Sequence, residues 1–90
     1  MRTERQHQLD RTVIRALLQM GEIPLAEPHL LHAALKTFNP PETKASEAEA
    51  VDAVRWQAAR LRIRALTTEQ GIKWLLTENG RGWAAEQGLA

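Results

Sequence analysis

The apolar residues near the start of the chain recur at the spacing of one helix face. They are Leu9, Val13, Ile14, Leu17 and Leu18. Thr3 and Gln6 ahead of them have the spacing of a capping box, and Gly21 suits the left-handed residue that commonly follows a helix. This pattern predicts a first helix that ends at about Met20.

A second helical stripe follows a short extended link at residues 23–25, where Pro24 restricts the residue before it. Pro28 fits the first turn of this helix because its missing N–H is not needed there. The stripe comprises Leu31, Ala34, Leu35 and Phe38. The Asn-Pro-Pro sequence at residues 39–41 then ends the helix.

A second capping-box pattern at Ser46 and Glu49 predicts a third helix over roughly residues 47–60. Its predicted core side comprises Val51, Val54, Ala58 and Leu61. Its outward side comprises Glu49, Asp52, Trp56 and Arg60, flanked by Ala53 and Arg55. The two outward carboxylates would weaken binding to a polyanion.

The period then changes to two, which is typical of half-buried strands. Leu61, Ile63 and Ala65 alternate with Arg62 and Arg64, and Ile72, Trp74 and Leu76 alternate with Lys73 and Leu75. Polar residues and Gly71 between the two runs predict a hairpin, and Thr77 can cap a last short helix to about Gln87. The core is expected to join the apolar hairpin residues to Leu17, Leu18, Leu31 and Leu35.

The chain of 90 residues is sized for one domain, which we place over residues 1–90. No apolar run approaches the ~20 residues that a membrane span needs. The first ten residues are polar, unlike the apolar centre of a signal peptide, and the chain has 0 cysteines. We therefore expect a cytoplasmic protein without membrane association.

The formal net charge is only +1, but the charges are unevenly distributed. Residues 21–50 hold 2 basic and 5 acidic side chains, so the middle of the chain is acidic. Residues 55–73 hold 5 basic side chains and one acidic side chain, Glu69. This basic cluster is the part of the chain best suited to contact nucleic acid.

The segment GIKWLLTENGRGWAAE at residues 71–86 resembles the second wing strand and following helix of MarR-like and PadR-like bacterial or phage regulators. The matching residues are Trp74, Leu76, Thr77, Gly80 and Arg81. The resemblance implies a winged helix: a mainly α fold of three helices, a two-stranded β-hairpin wing and a short C-terminal helix. It implies DNA binding and transcription regulation, with the third helix in the major groove and the hairpin on the phosphate backbone.

Two features depart from those families. They usually have a glycine between the third helix and the first wing strand, where this chain has Ala-Arg-Leu-Arg at residues 59–62. No long additional dimerisation helix is evident either, so a dimer is not implied.

Residues able to support catalysis or metal binding lack the necessary partners. His29 and His32 share a helix face with Lys36, but no third and fourth ligand accompany them. Ser46 and Thr77 are better explained as helix caps than as nucleophiles. We therefore expect no enzymatic activity, no metal and no cofactor.

The favoured hypothesis is a small DNA-binding regulator or accessory factor whose partner is double-stranded DNA. Its candidate contact residues are Arg55, Gln57, Arg60, Arg62, Arg64 and Lys73. The alternative is a winged-helix module that binds a protein partner or a second copy through Trp56, because a large aromatic residue opposite a core stripe is normally covered. The cover could also be the loop at Pro40 and Pro41, or nucleic acid.

Overall fold

The computed structural model describes residues 1–38 and 44–89. Within these ranges the chain forms four helices and a three-stranded antiparallel sheet, so a mainly helical fold with a hairpin is confirmed. In chain order the elements are α1 (Glu4–Met20), β1 (Leu25–Ala26), α2 (Glu27–Thr37), α3 (Glu47–Ala59), β2 (Ile63–Thr68), β3 (Gly71–Leu76) and α4 (Glu78–Glu86). The Asn-Pro-Pro sequence predicted to end α2 lies outside the described residues.

The predicted helix starts are confirmed. Thr3 and Ser46 each cap a helix in a complete capping box, with Gln6 and Glu49 as the reciprocal partners. The Thr77 hydroxyl accepts a hydrogen bond from the Gly80 N–H at 3.0 Å and so caps α4. Each cap satisfies backbone N–H groups that have no partner within their own helix.

The sheet has the strand order β1-β3-β2. β2 and β3 form the predicted hairpin, with Ile63 opposite Leu76 and Ala65 opposite Trp74. The third strand is β1, which begins at the end of the link that was predicted only to be extended. Its Leu25 pairs with Trp74 of β3. Two residues are too short a run for a sequence pattern to identify as a strand.

The core lies between α1, the inner sides of α2 and α3, and one face of the sheet. Its largest apolar side chains are Leu9, Ile14, Leu17, Leu30 and Ile63. Leu18, Leu31 and Leu76 are only partly buried against it, and Leu35 and Val51 are not part of the core cluster. Ala34 and Phe38 of the predicted α2 stripe are buried as expected, but Leu30 is fully buried, whereas Leu31 and Leu35 are only partly buried.

The buried face of α3 also differs from the prediction. It consists of Ala50, Ala53, Val54 and Gln57. Alanines at this contact let α3 lie close to α1, which larger side chains would prevent. Ranking the positions around the helix by hydrophobicity alone therefore predicted that a neighbouring face of α3 is buried.

The junction between α3 and β2 contains a strained residue. Leu61 was predicted to be a buried strand residue, but it precedes β2, is 71% exposed and has φ 61°. Its carbonyl accepts a 2.6 Å hydrogen bond from the Thr77 hydroxyl, and the Asn79 side-chain amide donates to the Arg60 carbonyl at 2.9 Å. These bonds hold a left-handed conformation close to the point where the resembled families have glycine.

Replacing Leu61 with glycine should therefore stabilise the protein. A left-handed conformation costs a non-glycine residue roughly 1–2 kcal/mol, and the greater entropy of unfolded glycine offsets part of that gain. We expect Leu61→Gly to raise the free energy of unfolding by about 0.5 kcal/mol in urea titration. The matched Leu66→Gly variant, within β2, should lower it, and the opposite order would contradict strain at Leu61.

Candidate nucleic-acid interface

The hairpin places two basic residues on the same face. Arg64 lies opposite Leu75 and Leu66 lies opposite Lys73, and directly paired residues of an antiparallel sheet point to the same side. Arg64 is exposed and Lys73 is half-buried. Neither strand of the hairpin contains an acidic residue, so this face is locally basic.

Five residues of α3 are exposed, and they carry two acidic side chains and one basic side chain. They are Glu47, Ala48, Asp52, Arg55 and Ala59. Arg55 makes no ion pair with any side chain in residues 1–38 and 44–89, and the same holds for Arg64 and Lys73. These three cations are thus available to an external anion.

Gln57 does not belong to this surface, and the prediction that it is exposed is wrong. Its side chain is fully buried. Its amide donates to the Asp10 carbonyl at 2.9 Å, and its carbonyl oxygen accepts from Arg62 at 3.1 Å. Gln57 therefore joins α3 to α1 and cannot read a base without unfolding this contact.

Arg62 also lies elsewhere than predicted. It precedes β2, and its guanidinium carbon is 4.4 Å from the centre of the Trp83 ring on α4. Burial and the nearby charge of Arg60 lower the pKa of Arg62. The prediction that Arg62 shares the polar hairpin face with Arg64 and Lys73 is therefore wrong.

Trp56 is half-buried, and two arginines cover its ring. The guanidinium carbon of Arg60 lies 4.4 Å from the ring centre, and that of Arg2 lies 4.6 Å away. Arg60 is thus directed toward Trp56. A contact of Trp56 with Pro40 or Pro41 lies outside the described residues.

Two of the three carboxylates of α3 are paired with arginines that precede or begin α1, whereas Glu47 forms no ion pair with the described residues. Arg2 donates to Asp52 at 2.6 Å, and Arg5 donates to Glu49 at 2.7 Å. The hydrogen bonds from Arg5 and from the Ser46 backbone lower the pKa of Glu49 to about 2. The expected repulsion between these two paired acids and phosphate is therefore reduced, because each of the two already has a cation beside it.

A buried ion pair that sequence reasoning missed holds Arg2 in place. The Asp10 carboxylate is fully buried and accepts hydrogen bonds from the Arg2 guanidinium, one of them at 3.1 Å. Burial raises the pKa of Asp10, and the pairing with Arg2 opposes that rise. The isolated position of Asp10 on the apolar face of α1 was the available signal, because buried acids generally need a partner.

The two histidines on α2 are both exposed. Across residues 1–38 and 44–89, histidine and acidic side chains form no cluster of three that could hold a metal ion. No helix in the same ranges has the combination of length and hydrophobicity needed to cross a bilayer.

Similarity offers no further guide to the site. Comparisons with protein-family models, curated protein sequences and solved structures gave no significant match.

Proposed function

We propose that the protein is a winged-helix protein that binds double-stranded DNA, as a small transcriptional regulator or accessory factor. Residues 71–86 resemble part of known winged-helix regulators. The order of helix, short strand, helix, helix and hairpin agrees with the arrangement expected of a winged helix. Fold alone is a weak guide to function, so the proposal depends on the charged surface.

The observation that carries the proposal is the basic face of the hairpin. Arg64 and Lys73 share that face, neither is neutralised by an ion pair with the described residues, and both strands lack acids. Lysine and arginine side chains so placed suit contact with phosphate oxygens. Arg55, exposed on α3, supplies a third candidate contact.

This surface favours affinity for the DNA backbone over discrimination among base sequences. With Gln57 buried, Arg55 is the one basic side chain exposed on α3, beside two alanines, the paired Asp52 and the unpaired Glu47. One long basic side chain offers at most one bidentate base contact, worth roughly 1–3 kcal/mol of discrimination. The role of an accessory factor with a modest sequence preference therefore fits the surface better than that of a stringent repressor.

We expect the protein to bind a mixed-sequence duplex with a steep dependence on salt. The double variant Arg64→Ala, Lys73→Ala should reduce the slope of log K against log salt by about two, because each lost phosphate contact removes roughly 0.9. Fluorescence anisotropy of a labelled duplex between 50 and 200 mM salt measures the binding constant and its dependence on salt.

The matched control is Arg15→Ala, which removes one exposed arginine from α1, outside the hairpin and α3. Its salt slope should stay close to that of the wild type. Equal slopes for the double variant and the control would rule out the hairpin as the DNA contact. Absence of binding by the wild type at low salt would reject the proposed function.

A further inference from the structure

A second charged surface lies away from the hairpin face, where α1, α3 and α4 meet. It is a cleft of about 430 Å³ that has Trp56 and Trp83 in its wall. It adjoins a cleft of about 350 Å³ beside α4, and both are lined by Arg60, Arg62 and Trp83. Two of the chain's 3 tryptophans therefore border one continuous depression. We refer to the two clefts together as the Trp56–Trp83 cleft.

Two of the three arginines that line this cleft are not neutralised. Within the described part of the chain, neither Arg60 nor Arg62 forms an ion pair. The side-chain acceptor of Arg62 is the neutral oxygen of Gln57. Two cations held near each other in a partly desolvated site have an unfavourable interaction that a bound anion would relieve.

Their geometry also suits an oxyanion. Each guanidinium lies over an indole ring at 4.4 Å from the ring centre, Arg60 over Trp56 and Arg62 over Trp83. Contact with a ring face fixes the plane of a guanidinium while leaving N–H donors at its edge, and such donors match a carboxylate. The arginines are thus oriented before any ligand binds, which lowers the entropic cost of binding.

We propose that the Trp56–Trp83 cleft binds an acidic peptide segment of a partner protein. One carboxylate lies between Arg60 and Arg62, and a neighbouring apolar side chain packs against Trp83. Tryptophan and arginine are the residues that most often dominate the energetics of protein interfaces. This inference goes beyond the proposed DNA binding and uses other residues.

The remaining charges of the cleft favour a peptide over nucleic acid. Glu86 also lines it and has no ion pair with the described residues, whereas Glu4 and Arg11 neutralise each other in a 3.3 Å ion pair. A nucleic acid carries phosphate at regular spacing and would bring some of it near Glu86. A peptide can place one carboxylate between the arginines and neutral residues beside Glu86.

A phage-displayed library of random dodecapeptides, selected on the immobilised full chain, tests the proposal. Enriched peptides should contain Asp or Glu next to an apolar residue. Synthetic versions should bind the wild type at least tenfold more tightly than they bind Arg60→Gln, and replacing their acids with amides should have a similar effect. Isothermal titration gives these ratios, and circular dichroism confirms that each variant is folded.

Arg55→Gln is the matched control, because it removes an exposed arginine from α3, the helix that ends just before Arg60, and Arg55 does not line the cleft. It should leave peptide affinity unchanged. The proposal is overturned if no peptide is enriched, if the enriched peptides lack acids, or if Arg60→Gln binds them as well as the wild type. Displacement of a selected peptide by duplex DNA would instead assign the cleft to nucleic acid. Loss of DNA binding in the hairpin double variant, with peptide binding intact, separates this site from the proposed function.

Discussion

Replacing Gly80 with alanine is expected to destabilise the fold by about 3 kcal/mol or more. A Cβ at this position would lie 2.0 Å from the backbone carbonyl oxygen of Arg62, and 2.7 Å from a methyl group of Leu76. The carbonyl cannot move away freely, because it accepts the Thr77 N–H at 3.0 Å. Overpacking against backbone costs more than overpacking against a flexible side chain.

Gly82 provides the control, since it lies in the same helix and a Cβ there would meet no atom within 4 Å. Gly82→Ala should raise stability by about 0.5–1 kcal/mol, because alanine is the better helix former. Urea unfolding followed by far-ultraviolet circular dichroism measures both variants. Equal free energies of unfolding for the two variants would contradict the close approach of α4 to Arg62.

Leu30→Ala should cost about 2–5 kcal/mol, the range for removing a well-packed leucine from a core. Leu30 is 0% exposed and belongs to the core cluster, with Ala34 and Phe38 on the same side of α2. A cavity at this position would open within the core, because the Leu30 side chain is fully enclosed. Thermal or chemical unfolding gives the difference from the wild type.

Leu35→Ala supplies the comparison on the same helix. Leu35 is only partly buried and does not belong to the core cluster, so its truncation should cost less than about 1 kcal/mol. The sequence pattern alone assigned Leu35 to the core and therefore predicted the larger loss there. A larger loss at Leu35 than at Leu30 would restore that assignment and contradict the observed packing of α2.

The features that were predictable from the sequence are local ones. Capping boxes at Thr3 and Ser46 and the change of period near Ile63 act within a few residues, so the order and type of the larger elements could be predicted. Gly80, one of the residues that carry the resemblance, lies so close to the Arg62 backbone that a side chain would not fit there.

The features that were missed depend on contacts distant in sequence. Gln57 can be buried because its side-chain amide donates a hydrogen bond to a backbone carbonyl 47 residues away. Arg2 is held by Asp10 and by Asp52, which is 50 residues away from it. A local sequence pattern predicts that such polar residues are exposed to solvent. Only the packed fold shows the hydrogen-bond partners that allow them to be buried.

The anchoring of Arg2 and Arg5 makes the first residues of the chain part of the surface of α3. Proteolytic trimming just beyond Arg5 would remove two cations and leave the buried Asp10 carboxylate without its arginine partner. Glu49 and Asp52 would then be unpaired, and one of the two covers of Trp56 would be lost. A short cut at the N-terminus would thereby change the charge of the helix proposed to approach DNA, although the cut lies more than forty positions away from it in the sequence.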